Sequence, residues 1–208
     1  MAGWDPSARL LAIVRYRGGG DVDRANVAVI GAGIPLVEIT LDTPGALQAV
    51  TRWREAGRIV GVGTVVSPKQ VDAAVDAGAS FVVSPGVLDP VIERGRELGI
   101  DVLPGAFTPT EVLRARELEA VAVKLFPAST GGPGHVHALR GPLPDVPLVP
   151  TGGIGVEDVT SYLQAGASCV GLGGALVGAA APTSAADVEA ISARAAAAVA
   201  ATALASPP

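Results

Sequence analysis

Cysteine, histidine, aromatic rings and basic charge are all scarce in this chain, and each scarcity closes off a class of function. A single cysteine, Cys169, leaves no partner for an intrachain disulfide. Its setting in Ser168-Cys169-Val170-Gly171 reads as a small core residue in a reducing compartment. The only histidines, His135 and His137, stand two apart in Gly134-His135-Val136-His137-Ala138-Leu139, at what reads as a surface helix start. Metal centres need a cluster of His and carboxylate ligands, so no metal and no cofactor is expected. Aromatics are 3% of residues, too few for a stacking platform under single-stranded nucleic acid. Fifteen basic against 20 acidic residues give no basic footprint for nucleic acid or an anionic membrane. No apolar stretch reaches the roughly eighteen residues of a spanning helix. The start, Met1-Ala2-Gly3-Trp4-Asp5, has neither the charged region nor the apolar core of a signal peptide. The expectation is a cytoplasmic protein that handles a small molecule.

What the chain does have is a repeated alternation. Eight short apolar runs recur: Leu10 to Val14, Leu36 to Ile39, Ile59 to Val62, Ser80 to Val83, Asp101 to Leu103, Val121 to Leu125, Pro147 to Val149 and Ser168 to Leu172. Helix-like segments lie between them, and several end at a glycine just before the next run: Gly33, Gly57, Gly78, Gly99 and Gly166. Glycine there is the left-handed helix stop. Pro44, Pro68, Pro90 and Pro109 mark helix starts, with Ser67, Asp89 and Thr108 as N-caps before the last three. Gly57, Gly78 and Gly99 are spaced by 21 residues, about one strand-plus-helix unit. Runs apolar on both faces that alternate with helices mean parallel strands covered by helices. An open doubly wound sheet would favour one glycine-rich turn early in the chain, whereas here glycines fall in nearly every unit. The reading is therefore an α/β protein, a closed (β/α)₈ TIM barrel, forming a single domain over residues 1–208. The alanine-rich stretch from Ala195 to Leu204 reads as a C-terminal helix against the body or a partner subunit.

Active groups of such a barrel lie at the C-terminal strand ends. The candidates there are Arg15, Glu38, Thr40, Thr64, Ser84, Lys124 and Thr151. Lys124 interrupts Val121-Ala122-Val123-Lys124-Leu125-Phe126-Pro127, and Glu38 interrupts Ile34-Pro35-Leu36-Val37-Glu38-Ile39. An ammonium in a buried strand is costly unless paired or deprotonated, and desolvation favours the neutral amine, a nucleophile toward carbonyl carbon. Strand alternation puts Glu38 with Leu36 and Thr40, and Lys124 with Ala122 and Phe126. If both faces point inward, a carboxylate and an amine share one apolar mouth. The alternatives are a lysine that snorkels to solvent and a purely structural ion pair. Two glycine-rich turns follow the last strands, Thr151-Gly152-Gly153-Ile154-Gly155 and Gly171-Leu172-Gly173-Gly174. Bare backbone at those loops suits a phosphate.

Lys124 in Lys-Leu-Phe-Pro, Glu38 in Glu-Ile-Thr, Gly61-Val62-Gly63-Thr64-Val65, Ser84-Pro85-Gly86, Pro104-Gly105 and Pro150-Thr151-Gly152-Gly153-Ile154 occur in one order over nearly the whole chain. Together they resemble the class I 2-keto-3-deoxy-6-phosphogluconate (KDPG) aldolases and their 4-hydroxy-2-oxoglutarate and phosphogalactonate relatives. The resemblance implies a metal-independent, homotrimeric barrel that cleaves a 2-keto-3-deoxy-6-phospho sugar acid to pyruvate and glyceraldehyde 3-phosphate. It implies that Lys124 forms the Schiff base and that Glu38 shuttles protons. Thr64 and Arg15 would hold anionic substrate ends, and Pro85 and Phe126 would form apolar walls. Thr151, Gly152, Gly153, Gly173 and Gly174 would bind the distal, phosphate end.

Two positions depart from the family pattern. Asp42, in Thr40-Leu41-Asp42-Thr43-Pro44, stands where some members have an arginine; the expectation is that it faces the loop and opens the next helix with Thr43 and Pro44. Gly174 replaces a frequent serine and removes one hydroxyl, worth on the order of 1 kcal/mol to a bound phosphate. A non-phosphorylated or 4-hydroxy-2-oxo acid substrate, and a phosphate-binding barrel without turnover, stay open as readings. The stretch Ser129-Thr130-Gly131-Gly132-Pro133-Gly134 reads as a flexible loop after the sixth strand.

Overall fold

In the computed structural model, residues 3–205 are described; Met1, Ala2 and the last three residues lie outside the description, and with them the first two residues of the start compared above with a signal peptide. All eight apolar runs form strands. The first half alternates β1 (Leu10–Val14), α1 (Val22–Gly31), β2 (Leu36–Thr40), α2 (Ala46–Glu55), β3 (Val60–Gly63), α3 (Pro68–Asp76), β4 (Phe81–Val83), α4 (Asp89–Leu98) and β5 (Asp101–Leu103). The second half continues with β6 (Gly105–Ala106), α5 (Pro109–Glu117), β7 (Val123–Leu125), α6 (Ala128–Arg140), β8 (Leu148–Pro150), α7 (Val159–Gln164), β9 (Val170–Leu172), α8 (Gly174–Val177) and α9 (Ala185–Ala203).

Every strand pair is parallel, as burial on both faces requires. The arrangement is a curled, TIM-barrel-like sheet wrapped by helices, but its ladder differs from the continuous ring expected. It resolves into a six-stranded sheet, ordered β5-β4-β3-β2-β1-β9, and a three-stranded sheet, ordered β6-β7-β8. One seam is Pro104, which has no N–H to give a ladder and separates β5, the fifth run, from the two-residue β6 beyond it. The other lies between β8 and β9, where an isolated Thr151–Gly171 bridge and a hydrogen bond from Ser168 N to Leu148 O (2.9 Å) join the two sheets.

Strand alternation sorts the core into two layers. Leu11, Ile13, Leu36, Phe81, Val83, Leu103, Ala122, Val149 and the buried Cys169 pack together inside the curl. Leu10, Ala12, Val14, Val37 and Ile39 face the helices. On β3 the inward positions are Gly61 and Gly63, and neighbours use the room. The Phe81 ring fills the space beside Gly61, and the Glu38 carboxyl fills that beside Gly63.

All five glycine stops have positive φ, from 68° at Gly99 to 101° at Gly33 and Gly166. Thr108 caps α5 in a full capping box with Glu111. Ser67 precedes α3 without a side-chain cap bond, and Asp89 is the first residue of α4 rather than its cap. Pro44 lies two residues ahead of α2. The terminal helix begins ten residues earlier than Ala195, because Ser184 and Asp187 form a capping box that the alanine count did not register. It packs on α1 and α7. The supposed loop 129–134 lies inside α6, which is broken only at Gly132 (φ 64°, ψ −172°). Glycine there interrupts the helix without unravelling it.

The two kinds of glycine should answer oppositely to alanine. Gly61→Ala drives a methyl into the Phe81 ring and is expected to destabilise by about 1–3 kcal/mol. Gly134→Ala, exposed in α6 with open space around it, is expected to stabilise by about 0.5–1 kcal/mol. Denaturant titration of both variants checks the pair, and equal shifts would contradict the packing assigned to β3.

Candidate active site

The strand ends converge on a cavity of about 680 Å³. Lys124, in the centre of β7, reaches its floor and is 8% exposed. Glu38, on β2, lies one layer deeper with no exposed surface. Its Oε1 is 4.0 Å from Lys124 Nζ. Among the described residues, neither Glu38 oxygen has a hydrogen-bond partner, an uncommon state for a buried carboxyl. Burial pushes the Glu38 carboxyl above the usual range, and the charges of Lys124 and Arg15 only partly oppose this. The snorkelling alternative fails here, since the lysine points into the molecule. Its Nζ stands 5.4 Å from the centroid of the Phe126 ring, whose residue is 39% exposed at the cavity wall.

Above this floor the rim is polar. Arg15 Nη2 donates to Thr64 Oγ1 at 2.7 Å, and Arg15 Nε lies 3.4 Å from Thr40 Oγ1. Thr64 has φ 63°, a left-handed conformation that costs a β-branched residue energy and that the surrounding structure must enforce. Ser84, another strand-end candidate, is spent on its own turn, with Oγ donating to Gly86 O at 2.8 Å. Pro85 and Phe126 line the wall as expected.

The far side is backbone. Gly152 and Gly153 both have positive φ, 94° and 73°. Ala128 N donates to Thr151 O (2.9 Å) and Ser129 N to Gly152 O (3.0 Å), so α6 holds this turn by its carbonyls. Consecutive residues turned in this way form an anion-binding concavity. Thr151, Gly152, Gly153, Gly173 and Gly174 all line the cavity. Gly171 leaves room for the Thr151 hydroxyl, which donates to Val149 O at 3.2 Å.

Ten of the eleven residues to which the resemblance gives a role therefore line one cavity, and the eleventh, Glu38, lies behind Lys124; the further strand-end candidates Thr40 and Ser84 are not part of its lining. The expectation for Asp42 is overturned. It lines the cavity, with Oδ1 3.3 Å from Arg15 Nε and Oδ2 3.4 Å from Arg17 Nε. Burial alone would raise its pKa, but contact with Thr40 and the charge of Arg15 outweigh that and hold the carboxyl below its usual range. Sequence reading missed Arg17 altogether; its place three residues past the end of β1, two after Arg15, was the available signal. His135 turns away from this site to bond Phe107 O through Nε2 (2.7 Å) and to stack on that ring. Among the described residues, no three His, Cys, Asp or Glu side chains form a group able to hold a metal ion, and no helix is long and apolar enough to cross a membrane.

A family profile described as "Aldolase: KDPG and KHG aldolase" matches residues 6–194. The 2-dehydro-3-deoxy-6-phosphogalactonate aldolase of Escherichia coli (strain K12) is 37% identical over 177 residues, covering 82% of this chain and 85% of that protein. A solved structure described as native KDPGal shares 36% identity at a TM-score of 0.85, covering 96% of this chain and 97% of the other. The KDPG aldolase of Legionella pneumophila, solved with pyruvate captured as a covalent carbinolamine, shares 28% identity at a TM-score of 0.76, covering 97% and 96%. Matched by this family profile over residues 6–194 and by these enzymes along most of its length, the chain belongs to the KDPG and KHG aldolase family and is a class I aldehyde-lyase.

Proposed function

We propose that this chain cleaves 2-keto-3-deoxy-6-phosphogluconate to pyruvate and glyceraldehyde 3-phosphate, through a Schiff base on Lys124. The observation that carries this reading is the buried pair of Lys124 and Glu38 at the cavity floor, 4.0 Å apart. Lys124 Nζ attacks the C2 carbonyl carbon to form a carbinolamine. Glu38, whose protonated form is favoured by burial, delivers a proton to the departing hydroxyl, and water leaves with formation of the iminium. The Glu38 carboxylate then takes the proton of the C4 hydroxyl as the C3–C4 bond breaks. The electron pair of that bond moves into the iminium to give an enamine, and the aldehyde departs. Reprotonation at C3 and hydrolysis release pyruvate and free Lys124.

Arg15 and Thr64 suit the oxo acid's carboxylate, since a guanidinium fork fixed by a neighbouring hydroxyl is prealigned for two oxygens. Pro85 and Phe126 shield the reacting carbons, Thr151 offers a hydroxyl, and the Gly152–Gly153 and Gly173–Gly174 turns suit the phosphate. A cavity of about 680 Å³ is of the size usual for small-ligand sites. Cleavage of 4-hydroxy-2-oxoglutarate to pyruvate and glyoxylate is a secondary activity of the same chemistry, favoured by the absence of a hydroxyl at Gly174. The phosphogalactonate epimer is the competing substrate, supported by the likeness to the Escherichia coli enzyme. We further propose one catalytic domain over residues 1–208, a closed barrel, a homotrimer and a cytoplasmic location, with neither nucleic acid nor membrane as partner.

Borohydride reduction in the presence of pyruvate should leave a pyruvyl adduct on Lys124, read by peptide mass, that vanishes in Lys124→Ala. An unmodified wild-type mass would sink the Schiff-base mechanism. Steady-state rates on the two C4 epimers and on 4-hydroxy-2-oxoglutarate should give the highest kcat/KM for the gluconate epimer, and any other order replaces the substrate named above. Glu38→Gln should lower kcat by about 10²–10⁴-fold while changing pyruvate affinity much less. The same variant should be stabilised relative to wild type, increasingly so as pH rises. Because the folded pKa of Glu38 is raised, the folded state binds the extra proton, and wild-type stability falls as pH climbs past the unfolded value near 4.5. Thermal melts between roughly pH 5 and 8 test the sign, and a stability gap that shrinks with pH would contradict it.

A further inference from the structure

We propose that Arg17 is a second substrate-binding cation of this cavity, docked on Asp42 and directed to the substrate's terminal phosphate; the proposal rests on the phosphorylated-substrate reading above. One carboxylate meets two arginines here, and it meets each through Nε, Arg15 at 3.3 Å and Arg17 at 3.4 Å. Docking by Nε leaves both terminal amines of Arg17 available as a fork for an oxyanion. Arg15 uses Nη2 on Thr64, which assigns it to the end of the cavity read as the carboxylate subsite. Among the described residues, Arg17 makes no hydrogen bond other than the one to Asp42. Its side chain is 80% exposed, so it contributes little packing, yet it lines the cavity. A cation with nothing to hold and a fixed anchor is placed for a ligand.

Topology says which end of the ligand. β1 pairs with β9 in register from Leu10–Val170 to Ala12–Leu172, so the segments leaving both strands run out side by side. Arg17 therefore shares the rim with Gly173 and Gly174, the turn that offers backbone donors without a side chain. A phosphate dianion held only by neutral N–H groups lacks a counter-charge, and Arg17 is the guanidinium that can supply it there. Asp42 then has a definite part as a positioning residue: it splays two arginines toward two anionic groups and lowers the net charge of the rim between them. The proposed substrate carries two such groups, a carboxylate and a phosphate.

The test compares a 2-keto-3-deoxy-6-phospho sugar acid with its dephosphorylated counterpart on the full chain. In Arg17→Ala, kcat/KM for the phosphorylated acid should fall about 10-fold, mostly through KM, the size expected for an exposed charge-assisted contact. The dephosphorylated acid should lose far less. Competitive inhibition by inorganic phosphate should weaken in parallel, and Arg17→Lys should recover part of the loss. An equal loss on both substrates, or no loss on the phosphorylated one, overturns the assignment. Borohydride trapping with pyruvate keeps the two readings apart. Wild type that traps pyruvate and prefers the phosphorylated acid, with an unaffected Arg17→Ala, refutes only the role of Arg17. Wild type that fails to trap refutes the aldolase mechanism and this assignment with it.

Discussion

An acid with two unpartnered oxygens sits 4.0 Å from an amine inside an otherwise apolar curl, and most of the surrounding design follows from accommodating that pair. Removing two ionisable groups from water is costly, and mutual attraction compensates only when geometry and hydrogen bonds are good. Among the described residues no donor reaches Glu38, so the pair is poorly suited to being a structural brace. The same setting is well suited to proton transfer. Burial shifts Glu38 toward holding a proton, and the neighbouring amine and Arg15 pull the other way. A carboxyl under opposed pressures of this kind can both give and take a proton within one reaction cycle. Room for it comes from Gly63 on the adjacent strand, where any side chain would overlap the carboxyl.

The cavity has a gradient from a dry floor to a charged rim. The floor holds the amine and, behind it, the buried carboxyl, while the rim holds guanidiniums, hydroxyls and glycine turns. Under the proposed reaction, this separation would let the ends of a substrate supply binding energy that positions its carbonyl carbon over Lys124. The left-handed Thr64 belongs to the rim, at the point where Arg15 is anchored. Strain at that place is consistent with a side chain held for its ligand rather than for its backbone. The turn after β8 is similarly constrained, because the first N–H groups of α6 take its carbonyls.

Much of this was legible from residue order. Parallel strands leave a near-continuous apolar signature, so all eight runs were found and only their edges moved by one or two residues. Lys124 and Glu38 stood out because each breaks such a run. Glycine stops were readable because positive φ admits few other residues. Errors arose where the local signal competed with a stronger one. Glycine and proline content argued for a loop at 129–134, but the segment is helical on both sides of a kink at Gly132. Alanine content marked the end of α9, while its start depended on the Ser184–Asp187 box.

The sequence by itself determined the alternation of strands and helices, the polarity of each face and the few reactive groups that interrupt apolar runs, because these depend on spacing along one strand or helix. Tertiary structure alone decided that Asp42 turns inward to bridge Arg15 and Arg17, that Gly61 and Gly63 make way for Phe81 and Glu38, and that the ladder parts at Pro104 and between β8 and β9. Each of those outcomes depends on side chains or strands distant in the chain meeting in space, and no local pattern encodes which neighbour will occupy a vacancy or offer a charge.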